Sequence, residues 1–370
     1  MKRRSFYRIM KAKTKLKYYY VENDINKYPD AWCYIVFSKR GPGKTYSFLD
    51  YMRREKIKFI YMKRTNDDVD LLTSGNKYGF DPSPFAPINR DKGTNIHAVK
   101  IRNGLGAFHE MDEEFNPIGE PLGYVLSMNA ATKFKGFDFS NCDYICLDEF
   151  IPLPGTIVKQ SEGETLLDLY MTVARDRQKR GLPALKLILF ANSEDISTPV
   201  TNTLEVVDAI AEMEARGDSY FYDQDRGIMV HHITNDEVPI TEDEKKGIFK
   251  AMEGTAWHAK SFGGQFAKND FSNVTDKTIK KSKPLYKIHY KSHDYYIYIN
   301  YGSGIYYMTY KPAPKAVIEY NLNRETEQKQ FFIDRIPQLR QALLADRFKF
   351  EKYTMYDLIM NYRKIFGIGK

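Results

Sequence analysis

Apolar and polar positions fall into two textures along the chain. WCYIVF, Trp32–Phe37, is β-branched and aromatic throughout and runs into a glycine-rich turn. KTYSFLDYMRRE then places Tyr46, Leu49 and Met52 on one side at helical spacing. IKFIYMKR, Ile57–Arg64, predicts the next strand. Strand, turn, helix and strand in that order predict the start of a parallel sheet. Further strands are predicted at Gly123–Met128 and Asp143–Phe150, and a helix over Gly163–Gly181 that stops at its glycine. LKLILFAN, Leu185–Asn192, is almost wholly apolar, as a central strand covered on both faces should be. Residues 74–95, rich in Gly, Pro and Asn, read as an inserted loop. These elements make an α/β domain of residues 1–205. Thr203–Asp218 predicts a helix leading away from it, within a linker region of residues 206–255. From residue 256 tyrosine and isoleucine alternate, broken by Gly302 and Gly304, which is the pattern of antiparallel hairpins. A helical tail follows over Thr326–Tyr362. There is no internal repeat.

Length and charge sharpen this division. A chain of 370 residues with 42% hydrophobic content is long enough for two cores. No run of about 18 apolar residues occurs, so no spanning helix and no membrane partner is expected. The N-terminal stretch lacks the apolar core of a secretory signal. The three cysteines, Cys33, Cys142 and Cys146, read as buried small apolar residues in a reducing compartment. Net charge is +8, unevenly spread: residues 1–17 hold eight Lys/Arg and no acid, residues 256–370 carry +10, and residues 18–255 carry −10. A basic arm and a basic C-terminal third around an acidic body suggest a polyanion partner such as nucleic acid; solvated lysines are the other reading.

Candidate chemistry lies in three places. SKRGPGKT, Ser38 to Thr45, departs from G-x-x-x-x-G-K-[ST] only at its first position. Ser38, Lys39, Arg40, Gly41, Pro42, Gly43, Lys44 and Thr45 are therefore candidate ATP-binding residues. Backbone N–H groups around Gly41–Lys44 would cradle phosphates at a helix N-terminus. Lys44 would reach the β- and γ-phosphates and Thr45 would hold Mg²⁺. Serine at the first position is small enough to make the turn, at some strain. The second place is YICLDEF, an apolar strand ending in two acids. Asp148 would serve the metal and Glu149 would polarise the attacking water; the alternative is a turn of solvated acids. The third is Asn192, at the end of an apolar strand, which could contact the γ-phosphate or the water, or else cap a turn. Arg40 and Arg64 could touch phosphate or lie on the surface. Arg175, Arg177 and Arg180 form either a solvated helix end or an arginine finger for a neighbouring subunit.

The order of these segments resembles the additional-strand P-loop motor ATPases that package viral DNA, in particular the phi-29-like group of tailed bacteriophages. The resemblance is carried by SKRGPGKT, FIYMKRT, LSMNAATKFKGFDFSNCDYICLDEF and LILFANSED, and covers roughly residues 20–205. Leu126–Gly136 also resembles large terminase subunits. A RecA/FtsK-like ATPase fold is implied, in a homomeric ring, with a pentamer as the implied size. The ring would work in the host cytoplasm, transiently on the portal of an empty procapsid, and draw double-stranded DNA inward with ATP and Mg²⁺. On this pattern Lys44 and Thr45 bind nucleotide, Asp148 serves Mg²⁺, Glu149 activates water, and Arg175 or Arg177 acts in trans. The C-terminal domain, 256–370, is expected to be smaller, β-rich and RNase H-like, a vestigial nuclease. YYIYIN ends in Asn300 where a nuclease would need an acid, GIYYMTY has none, and Asp294 has no evident partner. Its charge suits contacts to the backbone of DNA or of a structural packaging RNA. The alternatives are a large terminase with a live nuclease, another DNA-dependent P-loop ATPase such as an FtsK/HerA-like pump, and a scaffold with a degenerate site.

Overall fold

The computed structural model describes residues 18–75, 81–134, 136–152, 156, 158–242, 245–255, 258, 266, 269–275, 281–314 and 317–368. The basic arm at 1–17 lies outside them. The chain divides into two units, Met1–Leu204 with Arg216–Lys268, and Glu205–Ala215 with Asn269–Lys370. Among the described residues no helix is long and apolar enough to cross a membrane.

The apolar runs of the first unit become the strands β1 (Cys33–Ser38), β2 (Phe59–Lys63), β6 (Tyr144–Asp148) and β7 (Lys186–Asn192). They join β3 (Ile96–Arg102), β4 (Leu105–Met111), β5 (Pro117–Ser127), β8 (Tyr220–Asp223) and β9 (Ile228–Ile233) in one sheet, ordered β3-β4-β5-β2-β6-β7-β1-β9-β8. The six strands from β5 to β9 run parallel, and β3–β4 and β8 extend the edges antiparallel. Every residue of β1, β6 and β9 is buried, as parallel strands with both faces covered must be. The register sets Ser38 beside Asn192, and Asp148 beside Phe190, so Ser38, Asp148 and Asn192 end neighbouring strands at the carboxyl edge of the sheet.

Four sequence expectations are corrected. Residues 206–255 are not a linker. The helix Val207–Arg216 belongs mostly to the second unit, where Asp208 accepts bonds from the amide and hydroxyl of Thr354, both at 2.8 Å. The chain then returns to supply β8 and β9 to the first unit's sheet. The Gly/Pro/Asn-rich stretch holds a helix, Ala86–Lys92, and the hairpin β3–β4 follows it. The helix predicted to reach Gly181 stops at Ala174, because Arg175 turns extended (ψ 130°) and Asp176 left-handed (φ 59°). The C-terminal tail is broken by a strand.

In the second unit β10 (Lys283–Tyr290), β11 (His293–Asn300) and β12 (Ile305–Thr309) form an antiparallel meander. β13 (Ile318–Asn321) adds parallel to β10, and β14 (Phe348–Phe350) parallel to β12. Alternation in β11 buries Tyr295, Ile297 and Ile299 on one face. Helices Glu325–Asp334, Ile336–Leu344 and Tyr353–Met360 bring Phe331, Leu339 and Met355 into the core.

Candidate functional site

The loop from β1 to the helix Lys44–Arg54 sits at the carboxyl edge of the sheet. Gly41 (φ 88°) and Gly43 (φ 93°) take left-handed backbone that a side chain would disfavour. Gly43 is also the N-cap, and no acidic residue occupies the helix's first turn, so its amide dipoles face the cleft uncompensated. Ser38 needs no glycine geometry. It is the last residue of β1 and wholly buried, its hydroxyl donates to the Lys39 carbonyl at 2.6 Å, and it accepts from the Lys44 ammonium. The strain expected there is therefore absent; serine instead gives the buried lysine a partner.

Burial pulls the Lys44 ammonium down to about 8, although Asp148 and Glu149 act to raise it. Its Nζ lies 3.5 Å from Asn192 Oδ1. Asp148 Oδ2 accepts from the Thr45 hydroxyl (3.1 Å), the Tyr61 hydroxyl (2.6 Å) and the Lys63 ammonium (3.1 Å). Lys63 also reaches Glu149 Oε2 at 3.3 Å. Burial alone would lower Lys63, but the two carboxylates outweigh it and hold it above its ordinary value. Burial first and Asp148 second push the Tyr61 hydroxyl well up, so it remains a donor. Glu149 itself is left-handed (φ 58°), a conformation that costs a residue with a side chain about 1–3 kcal/mol. That turn projects its carboxylate outward, where the side chain is 65% exposed.

Arg64 secures the strained turn. Its guanidinium donates to the Phe150 carbonyl (2.7 Å), the Glu149 carbonyl (3.3 Å) and the buried Glu162 (2.8 Å). It is thus committed to protein partners in place of phosphate. Tyr61, Lys63 and Glu162 are site residues that the motif reading misses. The spacing of Tyr61 and Lys63 carries the signal: two apart on a strand, they share a face at the end of β2, which pairs with β6.

Arg177 requires a correction. It is 3% exposed, and donates to the carbonyls of Ser140 (2.7 Å), Cys142 (2.7 Å) and Pro183 (2.9 Å) and to the Asp143 carboxylate. A guanidinium so engaged in its own chain is not available to a neighbour. Arg175 and Arg180 are exposed, and Arg180 donates to the Ser140 hydroxyl at 3.0 Å. Lys44, Thr45, Asp148, Glu149 and Asn192 therefore come together, while the arginines do not join them. The five line a cleft of about 410 Å³, with Arg40 at its rim.

No known family pattern and no curated protein matches the sequence. Solved structures resemble its fold. One described as the Phi-28 gp11 DNA packaging motor has a TM-score of 0.62 at 17% identity, over 95% of this chain and 99% of that one. Another, the bacteriophage Phi-29 viral genome packaging motor assembly, has a TM-score of 0.62 at 16% identity, over 95% of this chain and 100% of that one. The chain shares its fold with phage packaging motor proteins over nearly its whole length.

Proposed function

We propose that this chain is the ATP-hydrolysing subunit of a motor that moves double-stranded DNA into a phage procapsid through its portal. The observation that carries the reading is the gathering of Lys44, Thr45, Asp148, Glu149 and Asn192 in one cleft at the carboxyl edge of a parallel sheet. The fold shared with packaging motors supports the cargo. In this reading the amides after Gly41 and the Lys44 ammonium bind the polyphosphate, and its charge keeps Lys44 protonated. The Thr45 hydroxyl and Asp148 carboxylate, 3.1 Å apart, are hard oxygen donors of the kind Mg²⁺ takes beside phosphate oxygens, and would hold it. Bound there, Mg²⁺ neutralises charge developing on the phosphoryl oxygens. Glu149, held outward by its left-handed turn, takes the proton of the attacking water. Asn192, in register with Ser38 on the next strand, senses the phosphate end.

The subunits act together as a homomeric ring. Arg175 is the trans-acting finger, since Arg177 is spent internally. The ATPase domain is of the RecA/FtsK-like kind, and the ring is a pentamer. The second unit acts as a basic nucleic-acid surface, toward DNA or a packaging RNA, and descends from an RNase H-like nuclease without its chemistry. In support, Asn300 Oδ1 accepts from Gly302 and Ser303 amides within its own turn, and Asp294 is engaged by His289 (2.8 Å). The test is the steady-state ATPase rate with and without duplex longer than a ring's footprint, at low and moderate salt. Stimulation that fades with salt is expected; turnover indifferent to duplex under every condition would remove the translocase.

A further inference from the structure

Each strand end in the cleft has an immediate chain neighbour that faces away from it. Phe37 comes just before Ser38, Phe150 just after Glu149, and Ser193 just after Asn192. In register, Phe37 lies beside Ala191 of β7 and His232 of β9, so these three side chains share one face of the sheet. The opposite face carries Val36, Phe190 and His231, one position earlier on the same strands. Phe48 of the helix Lys44–Arg54 meets Phe190 there, ring centroids 6.2 Å apart, so the helix of the phosphate loop covers that opposite face. The Phe37 face is filled by Phe266. Its ring lies 5.1 Å from Phe37, at 78° to it, and 5.3 Å from the His232 ring, and it is buried. From there the packing reaches both hydrolytic residues. Phe37 packs on Phe150 at 5.7 Å, and His232 Nε2 hydrogen-bonds Ser193 Oγ at 3.2 Å. Phe266 is also the last described residue of the first unit, three positions before Asn269 resumes the second.

We propose that Phe266 is a positioning residue for hydrolysis, seating Glu149 and Asn192 from the sheet face opposite the phosphate-loop helix. The inference rests on the nucleotide reading above and deepens it. Glu149 stands on a left-handed turn that a residue with a side chain holds only where its surroundings fix it. Arg64 fixes the carbonyls of that turn, and Phe37, with Phe266 against it, fixes the Phe150 ring. Asn192 ends β7, and the bond between Ser193 and His232 holds the chain just beyond it. Close-packed rings transmit a void to their neighbours. Loss of the Phe266 ring is therefore felt at both strand ends on its own face. The phosphate loop is braced from its own side, where the Tyr19 amide donates to the Pro42 carbonyl at 2.9 Å. Phe266 thus acts on the chemical step and leaves phosphate binding alone, and a shift of about 1 Å in a catalytic group costs up to about a hundredfold in rate.

Hydrogen exchange on the nucleotide-free full chain reads the seating directly. The Phe150 amide donates to the Phe190 carbonyl and the Ser193 amide to the Ser38 carbonyl, both at 3.0 Å, and the Ser47 amide to the Gly43 carbonyl at 2.8 Å. Phe266→Ala is expected to speed exchange at Phe150 and Ser193 about tenfold and to leave Ser47 as in wild type. Calorimetry with Mg-ATP and with Mg-tripolyphosphate should give affinities within about twofold of wild type, while kcat falls about tenfold. Phe266→Leu should show the same split at smaller size, and it decides the matter if the alanine variant does not fold. Ile88→Ala, buried in the helix Ala86–Lys92, is the control for lost stability: it should lower melting and change neither exchange at these amides nor turnover. Unchanged exchange at Phe150 and Ser193, or a Ser47 amide loosened equally, overturns the proposal. So does wild-type kcat in both Phe266 variants below their melting temperatures. If the wild-type chain binds Mg-ATP without turning it over alone, the exchange result decides. A wild-type chain that binds neither ligand removes the nucleotide reading, and the hydrolytic role of Phe266 with it.

Discussion

Arginines 175 and 177 show how much one residue's surroundings decide. In sequence the two are equivalent, two positions apart in a basic cluster. In the structure Arg175 is exposed, and Arg177 ties the turn after the helix to the segment before β6 through three carbonyls and Asp143. Arg177→Ala leaves those acceptors unpaired in a buried place. It should destabilise the first unit by roughly 3 kcal/mol, visible as a lower melting temperature. Arg175→Ala should leave melting unchanged and lower turnover at least tenfold. Mixing Arg175→Ala subunits with Lys44→Ala subunits should then give activity that departs from the sum of the parts. If Arg175→Ala rings hydrolyse ATP normally, the finger lies elsewhere. The motif residues were legible because their chemistry is local. The Ser38 substitution was not, since its reason is a lysine six positions on that folds back onto it.

At the scale of elements, legibility follows the range of the interactions. The strands of unbroken apolar residues stand where their pattern predicts them. The hairpin β3–β4 was missed although Asn103-Gly104, a strong turn signal, joins its strands. β9 was missed for a deeper reason: IMVHHI places two histidines in a strand that is wholly buried. His231 is accommodated by Asp24 at 2.8 Å on Nδ1 and Glu237 at 2.8 Å on Nε2. Tyr220 stacks on it at 4.0 Å, and Tyr19 donates to Asp24 at 2.9 Å. Asp24 lies 207 positions away, so no local pattern could show it. The network fastens β9 to the helix Val21–Lys27 and through Tyr19 to the phosphate loop.

That network makes stability depend on pH. Burial alone would lower His231, but Asp24 and Glu237 raise it from 6.5 to about 9. A proton held more tightly in the folded chain stabilises fully below the unfolded value and ceases to do so as pH rises through 9. Glu237 works in the other direction. Burial would raise it, but His231 and Tyr220 hold it below its ordinary 4.5, so its contribution is present above 4.5 and fades as pH falls through the depressed value. The first unit should therefore melt highest between about pH 5 and 7 and lose on the order of 3 kcal/mol by pH 10. His231→Gln should melt lower at pH 7 and show a flatter alkaline limb. An alkaline limb as steep in His231→Gln as in wild type would assign the loss to other groups.

For the whole molecule, charge says what the motifs cannot. The two ends of the sequence are basic and the middle is acidic, by +10 over residues 256–370 against −10 over residues 18–255. Core packing explains most tyrosines of the second unit, for Tyr286, Tyr295, Tyr306, Tyr307, Tyr320, Tyr353, Tyr356 and Tyr362 are buried. Stacking on bases is therefore not their main work, and in the proposed nucleic-acid surface the affinity would come from the cations. Lys291, Lys311, Arg347 and Arg363 are exposed and can meet phosphates. Each contact to duplex phosphate contributes a slope of about −0.9 in log K against log salt. Changing all four to alanine should weaken duplex binding uniformly across sequences and flatten the slope by up to about 3.6. Nucleotide binding at the cleft should be untouched, because that site is built within the first unit alone. A variant that keeps the wild-type slope would move the nucleic-acid surface off these cations. A slope near zero in the unaltered chain would mean that it does not grip duplex by itself, and the cargo half of the proposed function would fall while the cleft chemistry stood.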